Sequence, residues 1–403
     1  MTGETTLGLI ELFVALVAVA AVIALVVRRV AVPYTVALVL VGLAAPVVTP
    51  SLRLEVSPEL VLAGLLPGLV FEAALRIDAR EFARTFAGVA LLAAPGVVLV
   101  MAIVAFVLHA TTGLPLILGL VVGATVSATD PAAVLATFKQ LGSPRRLATL
   151  VEGESLFNDG TGLVVFVIAL RALSSGDVSA PEALLAFLLT VAGSVAIGGV
   201  AGFLASRLVA RIDDHLIELS ISLVTAYGAY LVADALHESG LIATVVAGMI
   251  LGTYGRSIGM SRTTQQALDT VWEFAAFLLT ALVFLLVGLS VPVASLLGAL
   301  GPIAWAIAAI LIGRAVVVYV LLGGVARFVQ RRRIPASWLH VTFWSGLRGA
   351  VAVAMALSLP ADVPQRTLLQ AITYGVVLFT LLVQGTTVEW VIRLTGLGRS
   401  PAA

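Results

Sequence analysis

An all-α polytopic membrane protein of about thirteen helices, two of them broken, is the fold class that this sequence predicts. Three observations carry the expectation. The 403 residues are 61% hydrophobic and 11% charged, against roughly 45–50% apolar and about 25% charged in soluble domains. The apolar excess is spread along the whole length in runs of roughly 20 residues, as a bilayer demands of a helix, and not in the short alternating strands of a β-barrel. The basic residues fall almost entirely on one side of the alternating connections.

The runs place candidate spans near 7–27, 34–50, 58–75, 86–110, 114–137, 147–170, 182–206, 216–236, 240–254, 268–290, 296–323, 338–359 and 368–392. The first has no basic residue before it and no small-residue cleavage site, so it reads as a retained helix and not a leader. The fifth contains "SATDPAAV", where Pro131 removes a backbone donor and interrupts the helix. The twelfth carries the glycine-broken centre "SGLRGAVAV". Seven spans separate the fifth from the twelfth, so the two run in opposite directions. A matched pair of interrupted spans of this kind points to an inverted-repeat transporter.

With the N-terminus outside, the cytoplasmic connections and C-terminus hold Arg28, Arg29, Arg76, Arg80, Arg84, Lys139, Arg145, Arg146, Arg207, Arg211, Arg256, Arg262, Arg327, Arg331, Arg332, Arg333, Arg393 and Arg399. The outer side holds only Arg53, Arg171 and Arg366. Cytoplasmic loops carry such an excess of Arg and Lys. The longest connections, such as "ARFVQRRRIPAS", are short and basic, so a single membrane domain over 1–403 without a large soluble domain is expected. A net charge of +1 gives no field suited to nucleic acid. Without cysteine there are no disulfides and no thiolate metal sites.

Ionisable groups inside a bilayer are costly and mark functional sites. The embedded set is Glu72, Asp130, Glu154, Asp159, Asp234, Glu273, Arg314 and Arg348, with Glu152 nearer the end of its span. Six acids against two bases suit a cation site, because two arginines cannot pair with all six. In "LVEGESLFNDGTGLVVFV", Ser155 stacks on Asp159 and Glu154 on Asn158, one turn apart. The two stacks are adjacent, so one helix surface can offer a carboxylate, a hydroxyl and an amide oxygen to one point. Hard cations take such oxygens, and the interrupted fifth span adds the carbonyls near Thr129 and the Asp130 carboxylate. No His or Cys cluster points to zinc, copper or iron. A carboxylate held away from water is expensive to leave bare. Asp159 is therefore expected to be neutralised by a proton or by a cation in turn. The histidines His109, His215, His237 and His340 fall mostly at span ends, where an interfacial position is the plain expectation.

"ATDPAAV", "LVEGESLFNDGTGLVVF", "SGLIATVVAGMILG" and "WSGLRGAVAVAMAL", with "GLVFEAALRIDARE", "ELSISLVTAYGAYLVADAL" and "FTLLVQGTT", resemble the monovalent cation/proton antiporters of the NhaP and eukaryotic sodium/proton exchanger branch. The likeness runs from the third span to the thirteenth. It implies thirteen helices in inverted six-helix repeats, a homodimer in the inner membrane, and alternating access by an elevator-like movement. The core would be formed by helices around 58–170 and 296–392, with the rest as scaffold. It implies exchange of sodium, lithium or potassium for protons, with a role in pH homeostasis and no cofactor beyond the transported ions. Asp159 would bind the ion and the proton beside Asn158, with Asp130, the Thr129 carbonyl and the Ser155 hydroxyl near the ion and Glu72 reaching the same cavity. Glu154 would pair with Arg314 or serve as a ligand, and Arg348 would compensate dipole ends at the twelfth span. The Asn before Asp159, where electrogenic relatives have a second Asp, implies electroneutral exchange. Thr280 stands where many relatives place Asn, and no role is carried over to it.

The competing classes are a passive cation channel, which needs a filter loop, and an intramembrane aspartyl protease, which needs a close acid dyad that "FNDG" does not provide. A transporter, not an enzyme, is the reading.

Overall fold

The structure, a computed structural model, describes residues 3–27, 29, 32–48, 56–176, 179–324 and 334–398, with backbone alone for 3–10, 12, 47 and 48. Among these residues there is no strand, and a helical segment overlies each candidate span. The first three helices are α1 (Gly3–Val27), α2 (Tyr34–Val48) and α3 (60–76). They are followed by α4 (Ala79–Thr112), α5 (Leu116–Leu141), α6 (Arg145–Ser175), α7 (Ala180–Val209), α8 (His215–Ala235), α9 (Gly240–Ile258), α10 (Arg262–Leu289) and α11 (Leu300–Leu322). The last two are α12, in two pieces, Ala336–Trp344 and Ala350–Leu357, and α13 (Arg366–Leu394). Among the described residues, nine of these, α4 to α11 and α13, are long and apolar enough to cross a membrane. The others present shorter apolar stretches, so a total of thirteen crossings rests on the sequence runs.

Arg145 and Arg146 open the 31-residue α6 and Arg171 stands near its close, which sets them at opposite ends of the bundle. Arg146 reaches the Arg84 carbonyl (3.4 Å), and Arg76 and Arg256 meet at Asp269, so these residues share one basic end. Arg28, Arg53, Arg327, Arg331, Arg332, Arg333 and Arg399 lie outside the described residues.

Local chemistry explains the irregularities. In α4, Pro95 lacks an N–H and its ring crowds the carbonyl four residues back. The helix absorbs this as a π turn, Leu92–Gly96, and continues. The Ala93 carbonyl in that turn accepts a hydrogen bond from Thr161 Oγ1 of α6.

The break in α5 is sharper. A residue preceding proline is pushed away from the helical region. The first piece, Leu116–Ser127, ends where Ala128 turns extended (φ −61°, ψ 138°), and the second, Ala132–Leu141, begins after Pro131. Buried backbone groups need partners, and α6, α12 and α13 satisfy those freed by the two breaks. Thr129 N donates to Asn158 Oδ1 (3.2 Å), and Asp130 N donates to the Leu347 carbonyl in the break of α12 (2.8 Å). Ala132 N is capped by Asp130 Oδ1 (3.0 Å). The Val126 carbonyl accepts from Arg348 Nε (2.7 Å), and Arg348 N donates to Thr380 Oγ1 of α13 (3.0 Å). Each chain break thus supplies one partner to the other, and Asn158, Thr380 and the Asp130 side chain supply the rest.

Packing separates two groups of helices. α4, α5 and α6 pack together and against α11, α12 and α13, with the breaks of α5 and α12 between them. α2 lies on α10, α7 on α9, and α8 on α7, α9 and α10. The third helix, which the core range 58–170 includes, packs mainly on α8, α9 and α10.

Gly349 is where the two breaks approach most closely. A Cβ there would overlap the Asp130 carboxylate. Gly349→Ala should therefore destabilise the protein by about 1–3 kcal/mol, the usual cost of overpacking. Thermal unfolding in detergent, with Gly199→Ala as the unhindered control, checks this.

Candidate functional site

α6 presents polar residues on two adjacent faces. Glu152, Ser155 and Asp159, at i, i+3 and i+7, form one stripe, and Glu154, Asn158 and Thr161 form the next. Ser155 of the first stripe and Asn158 of the second both bond to Thr129 in the α5 break, while Glu154 of the second turns away to Arg314.

The first stripe faces a cavity of about 200 Å³. Its walls are Leu66, Leu69, Val70, Glu72 and Ala73 of α3, the α5 break from Ala128 to Ala132, and Glu152, Ser155, Leu156 and Asp159 of α6. α10 contributes Ala276, Thr280, Val283 and Phe284, and α12 contributes Gly349 to Ala352. The Asp159 carboxylate lines this cavity, and among the described residues no hydrogen bond or ion pair reaches it. Ser155 Oγ donates to the Thr129 carbonyl, which sets that carbonyl beside the cavity wall. Glu72 lines the cavity and is held by Arg76, one turn on (Nε–Oε1 2.7 Å). Glu152 lines it also, about 10 Å along the helix from Asp159 at 1.5 Å per residue. Among the described residues, no group of three or more His, Asp or Glu side chains is gathered to hold a metal.

The second stripe is committed to protein. Asn158, 1% exposed, spends its amide on Thr129, Oδ1 accepting from N (3.2 Å) and Nδ2 donating to Oγ1 (2.7 Å). Glu154 forms a buried two-pronged pair with Arg314 of α11, Nη1 to Oε1 and Nη2 to Oε2 (2.9 Å). Arg314 also donates to the Thr342 carbonyl of α12 (2.8 Å). Three helices are thereby tied at one point.

The electrostatics of the breaks divide by sign. Helix N-termini carry partial positive charge and C-termini partial negative charge. The Asp130 carboxylate caps the second piece of α5 and lies against Gly349, which opens the second piece of α12. The Arg348 guanidinium, 1% exposed, binds the carbonyls of Val126 and Gly346, at the ends of the two first pieces. The acid and the base thus each sit at helix ends of the opposite sign.

Of the other embedded candidates, Glu273 is 64% exposed and pairs with Arg76 across a 3.4 Å gap. Asp234 lies at the far end of α8, in a separate cavity with Arg171, His237 and Glu238. Sequence reasoning assigned no role to Glu152 or Thr280, yet both line the cavity. Glu152 carried a usable signal, since it stands seven residues before Asp159 on one face; Thr280 carried one only through the resemblance, which has Asn there in many relatives, and none in its own spacing.

Two helices interrupted halfway along, crossing at a cavity lined by carboxylates, define a polytopic helical membrane protein on the plan of the secondary transporters. The comparisons narrow the class. The chain belongs to the sodium/hydrogen exchanger family, whose transmembrane profile matches residues 14–394. It is 40% identical over 344 residues to the low-affinity Na(+)/H(+) antiporter NhaS1 of Synechocystis, covering 84% of this chain and 65% of that one. It is 41% identical over 349 residues to the Na(+)/H(+) antiporter ApNhaP of Aphanothece halophytica, covering 86% and 67%. It is 37% identical over 356 residues to the Na(+)/H(+) antiporter NhaP of Pseudomonas aeruginosa, covering 85% and 82%. The chain thus spans about two thirds of the length of the first two relatives. In fold it is similar to the sodium proton antiporter MjNhaP1 of Methanocaldococcus jannaschii at pH 8, with a TM-score of 0.75 at 18% identity, covering 93% of this chain and 98% of that one.

Proposed function

We propose that this chain is a secondary active antiporter that exchanges sodium, or lithium or potassium, for protons. One observation carries the reading: the unpartnered Asp159 carboxylate in a cavity built where both interrupted helices cross. A bare carboxylate away from water is costly. In this reading either a proton or a small cation neutralises it, and each displaces the other. The ion's ligands are the Asp159 carboxylate, the Thr129 carbonyl, the Ser155 hydroxyl and Glu72. Asn158 fixes Thr129, Asp130 and Arg348 balance the helix ends, and the Glu154–Arg314 pair holds the moving core together. That core, the helices around 58–170 and 296–392 with Glu72 of α3 among them, is carried past the remaining helices so that the site faces each side in turn.

Sodium-driven proton flux in proteoliposomes, with and without a membrane potential, tests the reading. Electroneutral exchange predicts the same rate at zero and at imposed potential. Competition predicts a bell-shaped pH profile. In acid the proton holds Asp159 against the cation, and in alkali no proton remains for the return. A rate that climbs monotonically across a wide pH range at subsaturating sodium contradicts the mechanism. Potential-driven sodium flux without proton counterflow would favour a channel, and peptide cleavage in detergent a protease.

The reading places the chain in the inner membrane with the basic end cytoplasmic, the N-terminus outside and the C-terminus inside. Assembly as a homodimer follows from the family resemblance and is tested by mass measurement in detergent.

A further inference from the structure

We infer that Arg76 is a positioning residue for Glu72, and that the arriving cation takes the Glu72 carboxylate from the Arg76 guanidinium. The inference deepens the antiport reading and rests on it. Four carboxylates line the cavity, Glu72, Asp130, Glu152 and Asp159. Among the described residues, the cation paired with any of them is Arg76, through Glu72 at 2.7 Å.

Arg76 has somewhere else to go. Its Nη2 donates to the Asp269 carbonyl of α10 (2.9 Å) and stands 3.4 Å from Glu273 Oε2. The Asp269 carboxylate is already held by Arg256 of α9, with Nη1–Oδ2 at 3.2 Å, so it does not draw Arg76 away from Glu72. Glu273 is the loose acceptor: it is exposed, and its bond to Arg76 is the longer one. When Glu72 turns to a cation, the guanidinium moves onto Glu273 and no charge is stranded. The exchange is one ion pair for another.

The charged groups facing Glu72 are Arg76 on its own helix, Asp269 and Glu273 on α10, Lys139 on α5 and Glu152 on α6. Arg76 is the nearest of the cations. It therefore opposes the arriving cation at Glu72, and its removal should strengthen cation binding there.

The experiment is sodium-driven proton flux in proteoliposomes of the full chain, with KM and kcat measured across pH. Arg76→Gln should lower the sodium KM about threefold at alkaline pH, the scale of a partly exposed ion pair. The effect should fall on KM, with kcat little changed. Arg76→Lys should restore the wild-type KM. In a Glu72→Gln background, Arg76→Gln should change the KM no further. Overturning results are an unchanged KM, a loss of kcat alone, or an equal effect in the Glu72→Gln background. Should Arg76→Gln fail to assemble, Glu273→Gln reads the same competition from the other side. Removing the alternative acceptor should raise the KM about twofold, and an unchanged KM overturns the inference. Wild-type protein without sodium-driven flux sinks the antiport reading itself; wild-type flux with an unaltered Arg76→Gln variant sinks this inference alone.

Discussion

Asp159→Asn protein in proteoliposomes is expected to lose sodium-driven proton flux by on the order of 100-fold or more, an effect of about 3 kcal/mol or more on the coupled step. The amide is nearly isosteric with the carboxyl, so the cavity keeps its shape. What changes is the one property both ions need, a negative charge that either can neutralise. An amide offers the cation a neutral oxygen and offers the proton nothing. The fold should survive. Among the described residues no hydrogen bond reaches Asp159, so no partner is orphaned, and an uncompensated charge is removed from a site lined largely by apolar side chains. Thermal unfolding in detergent should show a melting temperature equal to wild type or higher. Intact folding with full sodium-driven flux would falsify the role of Asp159. A large drop in melting temperature would mean instead that the carboxylate is held by contacts the geometry does not contain.

Arg314→Ala should be the most destabilising single change in the core. It leaves Glu154, 2% exposed, as a buried charge without a counter-charge, and removes the donor to the Thr342 carbonyl. Breaking a buried pair from one side costs about 3–5 kcal/mol. For a chain of this size that lowers the melting temperature by about 4–6 °C. The companion double variant, Glu154→Leu with Arg314→Met, should recover most of the loss, because neither charge is then stranded. If Arg314→Ala melted within about 2 °C of wild type, the pair would not be holding α6, α11 and α12 together. If the double variant were as unstable as the single one, the loss would come from packing and not from charge.

The local pattern in the sequence decided the helices and their interruptions. Apolar runs of bilayer length need neighbours only in a general sense, since lipid and protein both satisfy them. Pro131 acts through its missing N–H and its effect on Asp130, both local. The 3.6-residue period likewise put Ser155 and Asp159 on one face and Glu154 and Asn158 on the next, before any neighbour was known. The resemblance supplied the pairing of Glu154 with Arg314, which no spacing could give across 160 residues.

The tertiary structure decided what each face meets. Asn158 could have faced the cavity; it is taken up on both sides of its amide by Thr129. Glu152 and Thr280 became cavity walls because α3, α6, α10 and the breaks of α5 and α12 enclose a gap between them. Gly349 is essential only because Asp130 arrives beside it from a helix more than 200 residues earlier in the chain. Periodicity fixes directions around one helix axis, but a carboxylate becomes a ligand, a cap or half of an ion pair according to what stands in that direction. That depends on contacts between distant segments, which a single sequence does not display.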